Sequence, residues 1–510
     1  MRFFITTLGC KVNQYDGCAI AEFLRQAGAE PIAGPPGEAS RADLIVVNTC
    51  CVTAAAVRKS RQAVRRAVRL APNAPVLVLG CYADYDPAGI AALLSSLNVQ
   101  PGKALIAGHH TGLAGCLRRV VGMAGTSWST PGGSISSWQG KRAGEVGLGR
   151  AVLTGSSTAP VAPSSIKARR AAAVKRKAPG ACGLPPIRHF PGHQRAFVKV
   201  QDGCDAFCSY CVVPYTRPIP RWRSVEEVEA ECRTLAAAGH KEIVLCGVFL
   251  GAYGQDTARR DRWNGPSLLP RLVRRIGSID GLWRLRLSSL ECNDVTEDLL
   301  AACADSPKLA PHFHLPLQSG SDRILCAMNR QYTVEQFHHS VERIRASLDR
   351  PAITTDVIVG FPREGEEDFA ATLAAVRKSA FSRIHAFPFS PMRGTAAWDR
   401  RHEAPAPTII KARLAELRVL AARLSANYGR QFIGQTLEVL VEQRRWQPCG
   451  LCTGMSDRYL PVYFEAPHLR PGQVATVRID RSEPSGLFGT LTQPLAPESG
   501  LRSMVPCARL

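Results

Sequence analysis

Residues Gln201–Cys211 read QDGCDAFCSYC, which places Cys204, Cys208 and Cys211 at C-x3-C-x2-C spacing. Asp202 and Gly203 just before them, and Asp205 and Ser209 between them, are residues that suit a loop. Just before lies Ala196–Val200, a short apolar run of strand type. A strand that runs into such a loop delivers three thiols to one place. Three thiolates fill three irons of a cubane [4Fe–4S] cluster and leave the fourth iron open, whereas an electron-transfer cluster normally has four cysteine ligands. A zinc site takes four ligands, usually a second CxxC or a His pair, and no such partner lies close by in the chain. Three buried apolar cysteines are the plain alternative.

Downstream, the strand–helix pattern repeats. Strand candidates are Ala196–Val200, Glu242–Cys246, Trp283–Ser288, His312–Leu317, Thr354–Val359 and Arg383–Phe387. Helical stretches such as Val225–Ala238, Thr333–Leu348 and Glu366–Ser379 lie between them. Six βα units predict an open, partial barrel. Active sites in barrels gather at the C-terminal ends of the strands, and Cys204 follows the first of them.

Upstream, residues 1–121 read as a separate α/β domain. Phe3–Leu8, Leu44–Val47 and Val76–Leu79 are strand-like, with helices expected over Gln14–Gly28 and Val57–Leu70. Alternating strands and helices imply a parallel sheet. A cysteine follows each strand: Cys10 in LGCKVNQYD, Cys50 in VNTCCVT and Cys81 in LGCYA. In such sheets ligands collect at the carboxyl ends of strands, so these three thiols suit a second cluster. Strand-end core thiols are the alternative. Neighbouring strand residues point opposite ways, so only one of Cys50 and Cys51 is expected to reach that site.

Residues 122–186 are rich in Ser, Gly, Ala and Pro and carry the basic run IKARRAAAVKRKAPG. They read as a linker with a basic segment. Residues 187–427 hold the barrel, including a helix rich in Arg and Ala over about Ile409–Asn427. Residues 428–495 switch to short strands, TLEVLVEQ, RYLPVYFE, QVATVRID and GLFGTLT, which predict a small OB-like β-barrel of the kind that binds nucleic acid. A tail follows at 496–510. Cys449 and Cys452 form a lone CxxC on a loop, read as incidental.

The composition fits this division. The chain has 510 residues, 45% hydrophobic and 21% charged, with a net charge of +22 that favours a polyanionic partner. No apolar run reaches membrane-spanning length, and the N-terminus lacks a signal peptide, so a cytosolic protein without membrane attachment is expected. Eighteen cysteines in a cytosolic chain point to metal or catalysis rather than disulfides.

With these motifs in view, the C-x3-C-x2-C loop resembles the radical S-adenosylmethionine superfamily. Nearly the whole chain outside the linker resembles the methylthiotransferase family. The motifs are LGCKVNQYD, VNTC, GCYA, QDGCDAFCSYCVVPYTR, LRLSSLE, HLPLQSGSDRIL, TDVIVGFP and FPFSPMRGT. TDVIVGFP and LCGVFLGAYG look most like the branch acting on threonylcarbamoyl-adenosine, the base 3′ of the anticodon in tRNA. Sister branches act on isopentenyl-adenosine and on an aspartate of a ribosomal protein.

The resemblance implies an N-terminal auxiliary-cluster domain, a radical S-adenosylmethionine barrel and a C-terminal TRAM domain. It implies two [4Fe–4S] clusters, held by Cys204, Cys208 and Cys211 and by Cys10, Cys50 and Cys81. It implies S-adenosylmethionine as co-substrate, tRNA as partner, an external electron donor and a sulfur source, with a monomer expected. Gly247 and Gly251 are placed where backbone approaches the methionine moiety. Ser288, Glu291, Gln318 and Ser319 end later strands and are candidates for cofactor or substrate contact, with turns or caps as the alternative. Arg217, Arg221 and Arg223 are candidates for RNA phosphate contact, with exposed basic residues as the alternative. Pro218 and Arg363 stand where the family usually has Gly, and Cys292 where Pro is common. Two readings compete: a radical enzyme on RNA without sulfur insertion, and a non-catalytic RNA-binding protein.

Overall fold

A computed structural model describes residues 1–34, 36–108, 116–117, 184–442 and 451–494. The expected linker, apart from residues 184–186, and the tail lie outside the described residues, as does Cys449. The described residues divide into two compact units, one up to residue 117 and the other from residue 187 onward.

In the first unit, a parallel sheet runs in the order β2-β1-β3-β4-β5. Its strands are β1 (Arg2–Thr7), β2 (Glu30–Pro31), β3 (Leu44–Thr49), β4 (Val76–Gly80) and β5 (Ala104–Ala107). β3 and β4 are buried along their whole length, as continuous apolar runs in a parallel sheet require. The helix Ala54–Leu70 packs Ser60, Val64, Ala67 and Val68 inward at helical spacing. Its other faces carry the arginines. Thr53 caps it, Oγ1 accepting from Ala56 N at 3.1 Å.

In the second unit, strands β6 (Arg195–Asp202), β7 (Arg221–Trp222), β8 (Glu242–Gly247) and β9 (Arg284–Leu287) form one sheet in the order β7-β6-β8-β9. Strands β10 (His312–His314), β11 (Ala352–Val359) and β12 (Arg383–Pro388) form another. Parallel bridges Leu285–Leu309 and Ser289–His314 join β9 to β10. The six parallel strands β6, β8, β9, β10, β11 and β12 therefore make the expected open partial barrel. Helices between them begin on strong caps. Ser224 and Glu227 form a capping box at Val225–Ala237, and Thr333 and Gln336 form one at Val334–Ser347.

The helix Pro407–Arg430 leads into a closed five-stranded barrel, ordered β13-β14-β15-β17-β16. Its strands are β13 (Thr436–Val441), β14 (Cys452–Ser456), β15 (Pro461–Phe464), β16 (Val474–Glu483) and β17 (Gly486–Pro494). Alternate residues such as Val439, Val462, Phe464, Val477 and Ile479 fill its core. Cys452 corrects the loop expectation: it lies in β14, buried, its Sγ donating to Ala466 O at 3.0 Å.

The small barrel closes the floor of the large one. Glu242, Arg284 and His312 open strands β8, β9 and β10. Tyr459, from the turn after β14, stacks on His312 with ring centroids 4.7 Å apart. The guanidiniums of Arg286 and Arg195 lie over the Tyr459 ring. Arg284 donates to the carbonyls of Met455 and Glu438, and Arg286 to those of Ser456 and Asp457.

Candidate active site

At the other end of the large barrel, β6 runs into the cysteine loop. Gly203 begins it at φ +79°, and a Cβ there would stand 2.0 Å from the carbonyl oxygen of Ile219. Only glycine fits this approach. Asp202 then organises the turn. It accepts from Lys199 Nζ at 2.9 Å, Arg217 Nη1 at 2.7 Å and Gly203 N at 2.9 Å. Cys204 N donates to Arg217 O at 2.9 Å. Arg217 is thus 3% exposed and turned into the loop. Arg223 pairs with Glu231 and donates to Lys199 O. Both arginines serve the fold at this place rather than facing a phosphate. Arg221 remains partly exposed on β7.

Gln201 couples the loop to the next strand end. Its Nε2 donates to Gly203 O at 2.7 Å, and its Oε1 accepts from Phe249 N at 2.8 Å. That fixes the Gly247–Gly251 backbone beside the cysteine loop. The Cβ direction of Gly251 is filled by the Asp294 carboxylate, 1.8 Å from where the Cβ would be, so packing demands glycine. Asp205 anchors the loop outward, accepting from Ala258 N at 2.7 Å and Thr257 Oγ1 at 2.8 Å.

Each of the three thiols receives a donor. Ala206 N lies 3.5 Å from Cys204 Sγ, Val213 N 3.4 Å from Cys211 Sγ, and Arg330 Nη1 3.3 Å from Cys208 Sγ. N–H groups aimed at sulfur are how proteins stabilise cluster-bound thiolates. Burial pushes the Cys204 thiol well above its ordinary pKa, and the neighbouring Cys208 and Cys211 add to this, while the Ala206 N–H offsets part of it. The site therefore favours thiolates only where positive charge accompanies them, which a bound iron–sulfur centre provides. Among the described residues, no three His, Cys, Asp or Glu side chains are grouped to hold a single metal ion. A cubane takes one thiolate per iron and has no such requirement.

Around this loop are unsatisfied polar atoms. Ser288 Oγ, Glu291 Oε2 and Gln318 Oε1 are buried without a hydrogen-bond partner. All three follow strand ends on the cysteine-loop side of the barrel. A buried acceptor left unpaired costs about 1–3 kcal/mol, so these atoms suit a bound polar ligand. Gln318 holds φ +62°, with its backbone locked to Asp356 O and Ile358 N. Ser319 instead turns away from these atoms, to the Thr372 hydroxyl.

In the first unit, Cys10, Cys50 and Cys81 follow β1, β3 and β4, three adjacent parallel strands. A Cβ on Gly9 would lie 2.8 Å from Cys50 Sγ, so the Cys50 side chain sits against the turn that carries Cys10. Asn13 Nδ2 donates to Leu8 O and Thr49 O, and Asn48 Nδ2 to Asn13 O at 2.8 Å. Thr49 Oγ1 reaches Leu79 O at 2.6 Å. The asparagines of the KVNQYD and VNTC motifs thus tie the first two strand ends together, and Thr49 ties in the third.

Three family models match the chain: uncharacterized protein family UPF0004 over residues 2–100, the radical SAM superfamily over 198–376, and the TRAM domain over 430–492. The threonylcarbamoyladenosine tRNA methylthiotransferase MtaB of Bacillus subtilis (strain 168) is 32% identical, covering 93% of this chain and 92% of that protein. The tRNA-2-methylthio-N(6)-dimethylallyladenosine synthase of Paracoccus denitrificans (strain Pd 1222) is 34% identical, covering 96% and 97%. The chain belongs to the tRNA methylthiotransferase family. It is a radical SAM enzyme, and the superfamily implies S-adenosylmethionine and a [4Fe–4S] cluster. Among solved structures, the radical S-adenosylmethionine methyltransferase TsrM from Kitasatospora setae shares the fold, with a TM-score of 0.50 at 16% identity, covering 78% of this chain and 73% of that one. No helix among the described residues is long and apolar enough to cross a membrane.

Several site residues carry no sequence signal of their own. Arg330 and Asn329, in the MNRQY stretch, reach the cysteine loop from more than a hundred residues away. Asn329 Nδ2 donates to Ala206 O and Phe207 O at 3.1 and 2.9 Å. Arg330 bridges Cys208 and Glu291, the latter at 2.7 Å. Gln201, the last residue but one of β6, has no local feature that marks its side chain as the link between the cysteine loop and the next strand end.

Proposed function

We propose that this methylthiotransferase inserts a methylthio group at C2 of N6-threonylcarbamoyladenosine, position 37 of tRNA. The observation that carries the reading is the paired arrangement of thiols. One trio follows three adjacent strands of the first unit; another follows β6 of the second. A radical enzyme without sulfur insertion needs only the second trio. In this reading Cys204, Cys208 and Cys211 hold one cluster and Cys10, Cys50 and Cys81 a second one. When bound, the clusters and S-adenosylmethionine supply the radical that removes the adenine C2 hydrogen and the methylthio group that replaces it.

The protein's own part is positioning. Gln201 holds the Gly247–Gly251 backbone against the cysteine loop. Ser288, Gln318 and the free oxygen of Glu291 offer acceptors for S-adenosylmethionine or the nucleoside. Cys50 rather than Cys51 serves the first trio, since its side chain sits at the Cys10 turn. For tRNA, the small barrel presents the half-buried pair Tyr463 and Phe488, stacked 5.0 Å apart, with the exposed Arg481 over Phe488 and Arg478 on the same strand. Aromatics interleaved with arginine suit stacking on nucleotides.

The choice of threonylcarbamoyl-adenosine rests on the LCGVFLGAYG and TDVIVGFP stretches; relatives named for both tRNA substrates match at similar identity. The test is mass spectrometry of tRNA nucleosides from a host lacking methylthiotransferases and expressing this chain. The 2-methylthio derivative of threonylcarbamoyl-adenosine is expected. The methylthio derivative of isopentenyl-adenosine alone would move the enzyme to the sister branch. Neither product from cluster-loaded protein would overturn the tRNA reading.

A further inference from the structure

We propose that Arg330 sets the reduction potential of the iron–sulfur centre held by Cys204, Cys208 and Cys211, acting as a positioning residue through the Cys208 sulfur. The inference rests on the reading of those cysteines as cluster ligands.

The geometry is a buried charge relay around one thiolate. Arg330 is 7% exposed. Its Nη1 lies 3.3 Å from Cys208 Sγ, its Nη2 2.7 Å from Glu291 Oε1, and its Nε 3.2 Å from the Tyr332 hydroxyl. The hydroxyl donates onward to Pro316 O at 2.6 Å and Leu317 O at 3.0 Å, which fixes it as an acceptor toward Arg330. A guanidinium keeps its charge in proteins, and the Glu291 carboxylate beside it supplies the counter-charge.

The side chain is not needed to shape the loop. Neighbouring residues already staple it. Asn329 holds the carbonyls of Ala206 and Phe207. Ser209 N and Oγ donate to Met328 O and Ala327 O, both at 2.9 Å. The Arg330 guanidinium therefore contributes mainly charge and one N–H···S bond. Hydrogen bonds to sulfur and nearby charge are what set cluster potentials. On reduction the centre takes up one electron from a low-potential one-electron donor, with no bond broken and no proton moved. A fixed cation beside a ligand sulfur favours the more negative, reduced state. Glu291 opposes it from 2.7 Å beyond, so the two residues pull the potential in opposite directions.

The test is an anaerobic redox titration with dithionite, followed by electron paramagnetic resonance. It uses the full chain carrying Cys10→Ala, Cys50→Ala and Cys81→Ala, so that one centre is loaded. Arg330→Gln is expected to move the midpoint to a more negative value, and Glu291→Gln to a more positive one. Arg330→Lys, which keeps the charge but loses the fork, should fall between parent and Arg330→Gln. A loop staple would lower iron content without shifts of opposite sign. An unchanged midpoint in Arg330→Gln, or shifts of both variants in one direction, would overturn the proposal. If Arg330→Gln fails to load iron, Glu291→Gln alone decides, and a midpoint that does not rise overturns it. A parent chain that binds no iron would instead overturn the ligand reading beneath it.

Discussion

Arg286 Nε stands 2.8 Å from Glu242 Oε1, and the two side chains are 1% and 0% exposed. Arg284 pairs with the other Glu242 oxygen at 3.2 Å. One carboxylate is thus shared by two guanidiniums whose remaining donors hold four backbone carbonyls of the small barrel. Removing one member of a buried ion cluster leaves uncompensated charge and typically costs about 3–5 kcal/mol. Glu242→Gln is expected to destabilise the second unit by that order, with the urea midpoint as readout. It should also weaken tRNA affinity, because the small barrel loses its fixed seat. A midpoint within error of the parent would show that the cluster is dispensable.

His240 gives a pH dependence with a definite sign. Its Nε2 accepts from Phe190 N at 3.0 Å, which holds the segment leading into β6 and requires a neutral ring. Burial, and then the adjacent His189, pull its pKa down to about 4. An unfolded His titrates near 6.5, so between those values the unfolded chain binds more protons. Stability is then full above about pH 6.5 and falls as the pH drops toward 4. The whole interval is worth roughly 3 kcal/mol. Urea midpoints measured at pH 7.5 and pH 5 should differ in the parent chain and differ less in His240→Gln. Equal slopes in the two proteins would assign the acid sensitivity elsewhere.

How much of this was legible beforehand follows from the range over which each residue acts. Strands such as Leu44–Thr49 and helices such as Val334–Ser347 announce themselves through an apolar run or a capping box, both local. The strand expected over His312–Leu317 ends at His314, because Pro316 has no N–H to continue a ladder. The four-residue β5 and the nine-residue helix Leu269–Gly277 offer too few residues to stand out. The cysteine trios were readable because spacing and strand ends are local too. Arg217 and Arg223 read as candidates for phosphate contact, since nothing local reveals that Asp202 and Glu231 pair with them. Arg330 was invisible for the same reason, as its partners Cys208 and Glu291 lie far away in the chain.

Gly203 and Gly281 both hold positive φ, +79° and +76°, but only Gly203 meets backbone in its Cβ direction; nothing lies within 4 Å of Gly281 there. Left-handed backbone costs a residue with a Cβ about 1–2 kcal/mol. Gly281→Ala should lose about that much and keep its iron. Gly203→Ala adds a clash with Ile219 O that forces the cysteine loop to move, so iron and S-adenosylmethionine cleavage should both be lost. Comparing iron content and thermal midpoints of the two variants separates clash from conformation. Equal behaviour would mean that the loop tolerates displacement.

Cys50 and Cys51 are adjacent and both buried, yet only Cys50 is placed against Gly9, beside Cys10. If Cys10, Cys50 and Cys81 hold the second cluster, Cys50→Ala should bind roughly half the parent's iron, since one of two like clusters is lost. It should still cleave S-adenosylmethionine to 5′-deoxyadenosine, because the loop after β6 is untouched. Methylthiolation of tRNA should disappear. Cys51→Ala should keep its full iron content and its product. A small apolar thiol removed from a core costs about 1 kcal/mol or less, so both proteins should remain folded. Iron analysis with nucleoside mass spectrometry reads both effects. Loss of iron in Cys51→Ala with retention in Cys50→Ala would reverse the ligand assignment. Full iron and full product in both would remove this pair from the second cluster altogether.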